Sequence, residues 1–580
     1  MDRTTFLNIV NARLRQVHYV TGKIADWFLS LMNVFSGISC IGVAILLILD
    51  FGFHLSSSNV AIFAQIQFYF LAYFFIDLAF RLVFQKGRLT YFLFHPTDIF
   101  ILYPIIYFFP ELSQHYSYFF NQIALLVVML GRLPHLRHLI AWLSIKPAQV
   151  FVLGFLVAIF LGSLLLSLPI STVSVEGIEF IDALFTAFSA VCVTGLVVND
   201  VGSTFTIFGQ FVILLLIQIG GLGIMSFSVL LALVLHRRLS QSASRELQEN
   251  YSTVSLSETF QAISFIFKLT VVVEFLGAAV LFFFIYGDFE HWSKDLFVAV
   301  FHSVSAFCNA GFSLFPDSLM MYSAQWPIMG TVSILIIVGG LGFPVLFNLA
   351  QRRVKTFAPL KVQTKLAIKV TFYLLVFGTA MIYLLEGQRS LMGLSFGEQM
   401  LVSFFQSVSA RTAGFNSFDL TLFHPGTILL MMMLMVVGAS PGSTGGGIKT
   451  TTFGVIVLSL IQTFKGAKRI RYSHRKIAME SVIKAYVAFF MAISIIALFF
   501  FILVLVEKGE ILPLLFETVS AFGTVGFSLG VTPDLSILGK MIIMVLMFIG
   551  RIGPLTIAMA LARPKPEFGY DYPEERIVVL

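Results

Sequence analysis

The sequence predicts an all-α polytopic membrane protein, four pseudo-symmetric helix–loop–helix units preceded by a four-helix transmembrane bundle. Three observations predict it: the composition, the succession of apolar spans, and a block that recurs four times. Of 580 residues, 58% are hydrophobic and only 12% charged, with a mean hydropathy of +0.93. Soluble domains carry about a quarter charged residues, so a soluble enzyme, a nucleic-acid binder and a disordered chain are all excluded. The 65 phenylalanines suit a lipid-facing surface. Three cysteines, Cys40, Cys192 and Cys308, make no disulfide framework and offer no metal-ligand spacing.

Taken in order, the first 26 residues are polar and basic and do not read as a cleavable signal. Hydropathy then predicts twelve spans near 27–53, 60–84, 91–110, 118–142, 147–169, 205–235, 258–286, 325–350, 364–386, 427–460, 481–506 and 535–562. Apolar stretches too short to span lie between later pairs and read as re-entrant segments. Cations cluster in 236–257, 351–369 and 463–484, whereas the opposite loops carry Asp200, Asp288, Asp317, Asp419 and Asp534. Lysine and arginine bias sets topology, so both termini are expected in the cytoplasm. A docking surface for a cytoplasmic partner is a second use for the basic runs. The acidic outer face would concentrate cations.

The repeat organises the remainder. Phe-x-x-x-Ser-Ala occurs at Phe185–Ala190, Phe301–Ala306, Phe405–Ala410 and Phe516–Ala521, with starts 116, 104 and 111 residues apart. A glycine follows each block: Gly195, Gly311, Gly414 and Gly526. Later in three of the units come Gly220–Gly223, Gly339–Gly342 and Gly550–Gly553 at corresponding points. Each unit is therefore span, short helix, extended glycine segment, span. An even number of spans gives all four units one orientation, so they can stand like staves around an axis, unlike inverted repeats. A short helix ending midway directs its partly negative C-terminus toward the membrane centre. The extended segment after it offers carbonyls, a ring of which can replace the hydration shell of a potassium ion.

These segments, VTGL (193–196), NAGF (309–312), RTAGF (411–415) and TVGFS (524–528), resemble the filter loops of the Trk/Ktr/HKT superfamily of potassium transporters. The resemblance covers about 147–580, and the tail 572–579 is similar to the end of Ktr-type membrane subunits. It implies helix–pore-loop–helix units around one pore, with potassium as transported substrate at backbone carbonyls. The implied filter residues are Val193, Thr194, Gly195, Asn309, Ala310, Gly311, Thr412, Ala413, Gly414, Thr524, Val525 and Gly526. It further implies a homodimer in the inner membrane, no cofactor in this chain, and a cytoplasmic nucleotide-binding regulatory ring (NAD or ATP/ADP). In the plant branch a serine in the first loop goes with sodium preference; Gly195 here favours potassium.

The third unit departs from its siblings. Its second span is interrupted by Gly438–Thr450, rich in glycine (Gly438, Gly442, Gly445, Gly446, Gly447) and ending in Lys449. Glycine and proline deprive a helix of stability and of a donor, and the resemblance makes 438–452 an intramembrane gate, the alternative being a packing kink. Gly442 to Lys449 nearly reads as a nucleotide-binding loop, but Ile448 breaks the spacing and no strand precedes it. Arg551 stands where two siblings have Gly221 and Gly340. A cation at mid-membrane costs about 2.5–3.5 kcal/mol on insertion scales, so Arg551 is expected to face the cavity. There it would slow flux and hold the gate; an ion pair with Glu517 or Glu274 is the alternative. Thr186, His302, Gln406 and Glu517 share one repeat position, and Glu517 is expected to support the fourth loop.

Residues 1–145 lie outside that pattern. Asp77, Arg81, the segment Lys86–Asp98, Arg132 and Arg137 resemble a degenerate voltage-sensor-like four-helix domain. Two arginines five apart with Pro134 between them are a poor sensor, so a structural or docking bundle is the reading adopted. The pore units are expected at 146–250, 251–358, 359–475 and 476–562, with a cytoplasmic tail at 563–580. The function expected is potassium uptake. Its rivals are sodium-selective or sodium-coupled transport on the same fold and a voltage-sensing regulator with a vestigial pore. An enzyme is not expected, since no motif places an acid, base or nucleophile.

Overall fold

The computed structural model describes residues 147–174, 177–223, 256–289, 291–354, 360–467 and 469–561, together with Ser57–Phe84, 122–129 and scattered positions between 32 and 52. The chain divides into two compact units, one of residues 1–145 with short pieces at 168–170 and 175–177, the other of the remaining residues from Lys146 onward. In the first, α1 (Ser57–Phe84) contributes Leu71, Phe74 and Leu78 to a small core with Val43, Leu125 and Val128. Asp77 is fully buried on that helix. The segment Lys86–Asp98, Arg132, Arg137 and the tail 572–579 lie outside the described residues.

The second unit holds four repeats of one plan. The outer spans are α2 (Pro147–Leu166), α5 (Leu256–Ile285), α9 (Val362–Glu386) and α13 (Met479–Val506). The short helices are α3 (Phe180–Cys192), α6 (Trp292–Phe307), α10 (Phe396–Ser409) and α14 (Ile511–Gly523). The inner spans are α4 (Ile207–Leu222), α7 (Trp326–Leu341) with α8 (Phe343–Val354), α11 (Pro425–Val436) with α12 (Thr450–Phe464), and α15 (Ile537–Ile552) with α16 (Pro554–Leu561). A hairpin, β1 (Arg471–Tyr472) and β2 (Arg475–Lys476), turns through Ser473 and His474 in left-handed backbone before α13.

Each inner span packs on the short helix of the next unit: α4 on α6, α7 on α10, α11 on α14, and α15 back on α3. The units therefore close a ring in chain order. The repeated block explains why. Phe185, Phe301, Phe405 and Phe516 are wholly buried, as are the four alanines that end the blocks, all in one continuous core. The seam between the last and first units carries an ion pair, Lys540 Nζ to Asp182 Oδ1 at 2.6 Å, with both side chains largely buried.

Among the described residues, three helices are long and apolar enough to cross a membrane, and a fourth if α7 and α8 count as one span bent by 92°. The hydropathy windows 325–350, 427–460 and 535–562 read straight through breaks. Gly342 and Gly553 end their helices at φ +88° and +90°, values that glycine adopts without penalty and that a sum of hydropathies does not register. The window 91–110 and the part of 205–235 beyond residue 223 lie outside the described residues.

Candidate functional site

The four short helices converge on four loops of one conformation. Two residues before each glycine the backbone is left-handed: Val193 at φ 57°, Asn309 at 58°, Thr412 at 75° and Thr524 at 49°. The glycines follow at 90°, 70°, 78° and 95°. Three of those four non-glycine positions are β-branched, for which such angles are genuine outliers, and strain of this kind gathers at functional sites. The loops are tied back to their helices: Thr194 N–H donates to Ser189 O (2.8 Å), Ala310 N–H to Ser305 O (2.7 Å), Ala413 N–H to Ser409 O (2.9 Å) and Val525 N–H to Ser520 O (2.9 Å). The third loop makes this bond one residue sooner, as its missing residue requires.

A cyclic relation joins the loops. A Cβ built on Gly195 would meet the carbonyl oxygen of Ala310; on Gly311, that of Ala413; on Gly414, that of Val525; and on Gly526, that of Thr194. Each glycine therefore lies against the carbonyl preceding the next unit's glycine, all the way round. Only glycine permits both the positive φ and this approach. All four glycines line one open cavity of about 250 Å³, with Asp200, Ser313, Asn416, Ser528 and Thr532 on its walls. The short helices end immediately before the ring, so four partly negative helix termini surround it.

The serines of the repeat hold the loop backbone, a part the sequence did not single out. Ser189 Oγ accepts from Gly195 N–H (3.0 Å) and Ser520 Oγ from Gly526 N–H (3.1 Å). Ser305 Oγ and Ser409 Oγ instead donate to the carbonyls of Phe312 and Phe415, both at 2.8 Å. The signal was present, because serine and alanine are the only residues besides phenylalanine common to all four blocks. At the position shared by Thr186, His302, Gln406 and Glu517, three side chains reach the segment after the loop. His302 Nε2 meets Ser313 Oγ (3.0 Å), Gln406 Nε2 donates to Phe418 O (3.5 Å), and Glu517, wholly buried, accepts from the Thr532 hydroxyl. Thr186 turns back to Asp182 O at 2.8 Å.

Below the ring lies the interruption of unit 3. Gly438 and Gly445–Gly447 are buried, Gly442 is exposed, and Val437 bridges Ile448 in parallel fashion. Because α7 stops at Leu341, its last carbonyls lack helical partners, and the loop supplies them: Ser440 N–H donates to Gly340 O (3.0 Å) and Thr444 N–H to Gly339 O (3.4 Å). Lys449 Nζ donates to the carbonyls of Gly445 (2.8 Å) and Gly446 (3.3 Å) within the loop. Arg551 donates through Nη1 to Thr444 O and through Nη2 to Gly220 O, joining unit 4 to the loop and to the end of α4. Glu274 and Glu517, offered as ion-pair partners, are engaged elsewhere, Glu274 with Gln218 Nε2 at 3.2 Å and Glu517 with Thr532. Cys192 and Cys308 are buried free thiols.

A ring of glycine–carbonyl loops around an open mouth, with a glycine-rich loop and an arginine packed against its residues, is the arrangement of a membrane cation-transport protein. The TrkH family, described as a cation transport protein, matches residues 115–568, and the chain belongs to that family. It is 40% identical over 441 residues to the Ktr system potassium uptake protein B of Bacillus subtilis, covering 76% of this chain and 98% of the relative. It is 38% identical over 444 residues to the potassium/sodium uptake protein NtpJ of Enterococcus hirae, covering 75% and 97%. The crystal structure of the potassium transporter TrkH from Vibrio parahaemolyticus shares the fold, with a TM-score of 0.58 at 18% identity, over 87% of this chain and 98% of that one.

Proposed function

We propose that this protein takes up potassium across the cytoplasmic membrane through the four-loop ring, with 438–452 and Arg551 controlling passage. The observation that carries the reading is the cyclic seating of Gly195, Gly311, Gly414 and Gly526 against neighbouring carbonyls around one mouth. Carbonyls held at fixed spacing replace a cation's hydration shell and discriminate by size and field strength. In that reading the carbonyls of residues 193–195, 309–311, 412–414 and 524–526 bind the ion, Glu517 supports the fourth loop, and no cofactor is needed. Units 146–250, 251–358, 359–475 and 476–562 form the pore, and 1–145 is an appended structural or docking bundle. Both termini are cytoplasmic, two copies form a dimer, and a nucleotide-binding regulatory ring docks on the basic face. The relationship to relatives named potassium uptake protein B supports the substrate, while the potassium/sodium name of another keeps sodium as the second reading.

The test is rubidium uptake into liposomes holding the purified protein, competed with potassium or sodium. Block by potassium and not by equal sodium is the expected result. Equal block by both ions overturns potassium preference in favour of sodium. No uptake, even with the cytoplasmic partner added, overturns transport by this chain.

A further inference from the structure

The residues two places before the filter glycines are Val193, Asn309, Thr412 and Thr524, and their strained backbone calls for a reason. Glycine would sit there freely. Three of the four are polar, and the polar atoms of those three meet the interrupting loop or one another. The Asn309 amide lies 3.2 Å from Thr444 Oγ1 and 3.3 Å from Thr412 Oγ1. Thr524 Oγ1 accepts from Gly446 N–H at 2.9 Å. Val193, the apolar member, packs beside Gly220. From the loop side, a Cβ on Gly445 would meet the Thr412 hydroxyl and one on Gly446 would meet Thr524 Oγ1 at 2.5 Å. The glycines are what let the loop reach the filter residues. Thr444 is the hub. It is wholly buried, its hydroxyl lies 3.3 Å from Phe307 O and against Asn309, and its carbonyl accepts from Arg551.

We infer that Thr444, together with Asn309, Thr412 and Thr524, latches the loop to the underside of the filter, so that loop release and filter geometry are one equilibrium. These are positioning residues; the inference rests on the transport reading and adds the coupling between its two parts. When the loop leaves, Asn309 and Thr524 lose partners in a region with little water to replace them, and the filter backbone they hold is loosened. By reciprocity, an ion that stabilises the filter shifts the loop by the same free energy.

The experiment compares Thr444→Val, which keeps shape and loses the hydroxyl, with Thr444→Ser, which keeps it. Both are assayed in the full-length protein for rubidium uptake and for potassium against sodium competition. Loss of one buried neutral hydrogen bond should raise maximal uptake by about 2- to 10-fold in T444V, with half-saturation little changed, and T444S should match the unmodified protein. Thr524→Val, which removes the acceptor of Gly446 N–H from the opposite side, should move uptake the same way and serves if T444V does not fold. Uptake unchanged in both valine variants, or lowered alike in T444V and T444S, overturns the latch. Uptake absent from the unmodified protein strikes the transport reading instead, so the two failures are distinguishable.

Discussion

Below the filter, the inner spans of units 2 and 4 break at a single glycine, Gly342 or Gly553, whereas that of unit 3 is interrupted from Val437 to Lys449. Above that level unit 3 is like its siblings, with the same left-handed residue, the same glycine and the same seat against the next carbonyl. One left-handed glycine bends a helix and leaves a few carbonyls unpaired. A longer interruption makes a segment with hydrogen bonds of its own, which here satisfies the carbonyls its neighbour exposed. The kink of unit 2 is thus part of how unit 3 holds its loop. In the transport reading, function is divided between a level where four units must be equal and a level where one must differ.

Equality at the filter makes the largest prediction. Alanine at Gly414 faces φ +78° and the Val525 carbonyl; at Gly526 it faces φ +95° and the Thr194 carbonyl. Left-handed backbone alone costs an L-residue about 1–2 kcal/mol, and the overlap adds to it. Both variants should lower rubidium uptake by at least about 10-fold, or abolish the advantage of potassium over sodium as competitor. A Gly414→Ala protein that transports like the parent would show that unit 3 is exempt at the filter as well.

Difference below the filter makes the next. Arg551→Gln removes a charged donor from Thr444 O and Gly220 O. Hydrogen bonds from charged groups contribute about 1.5–3 kcal/mol, so the initial rate of uptake should rise about 10-fold or more, with potassium preference weakened as the loop leaves the filter. A lower rate would mean that the arginine helps ions through and does not restrain them. Gly553→Ala should act on stability alone. Among the described residues beyond its chain neighbours, a Cβ there meets only Thr556 Oγ1, at 4.0 Å, so the positive φ is the main disturbance. About 1–2 kcal/mol should appear as a lower midpoint of thermal inactivation, with ion competition unchanged.

The two levels were not equally legible. The ring of four loops could be read because Phe, Ser, Ala and Gly recur at matched positions, and one glycine means little where four at equal spacing mean a great deal. The loop 438–450 could be read as a break because glycine and proline crowd it. What it touches could not. Thr444 meets Asn309 across 135 residues, Arg551 meets Gly220 across 331, and Lys540 meets Asp182 across 358. Such pairs follow from ring closure, and no local pattern announces them. The breaks inside spans were hidden for a related reason: hydropathy sums a window and is indifferent to the backbone angle of a glycine within it.

At the scale of single hydrogen bonds the comparison divides differently, and the serines test it. In units 1 and 4 the serine accepts from the filter glycine's N–H; in units 2 and 3 it donates to the carbonyl after the glycine. Alanine at Ser189 or Ser520 strands an N–H that has one proton and no alternative, while alanine at Ser305 or Ser409 leaves a carbonyl with a second lone pair. Orphaned buried N–H groups are the rarer and costlier defect. Ser189→Ala and Ser520→Ala should therefore each lose about 1 kcal/mol, and Ser305→Ala and Ser409→Ala measurably less, read as the rank order of thermal-inactivation midpoints in detergent. If all four fall together, the bond's direction is immaterial. If Ser409→Ala alone stands apart, unit 3 differs from its siblings within the filter too, and the separation into two levels fails.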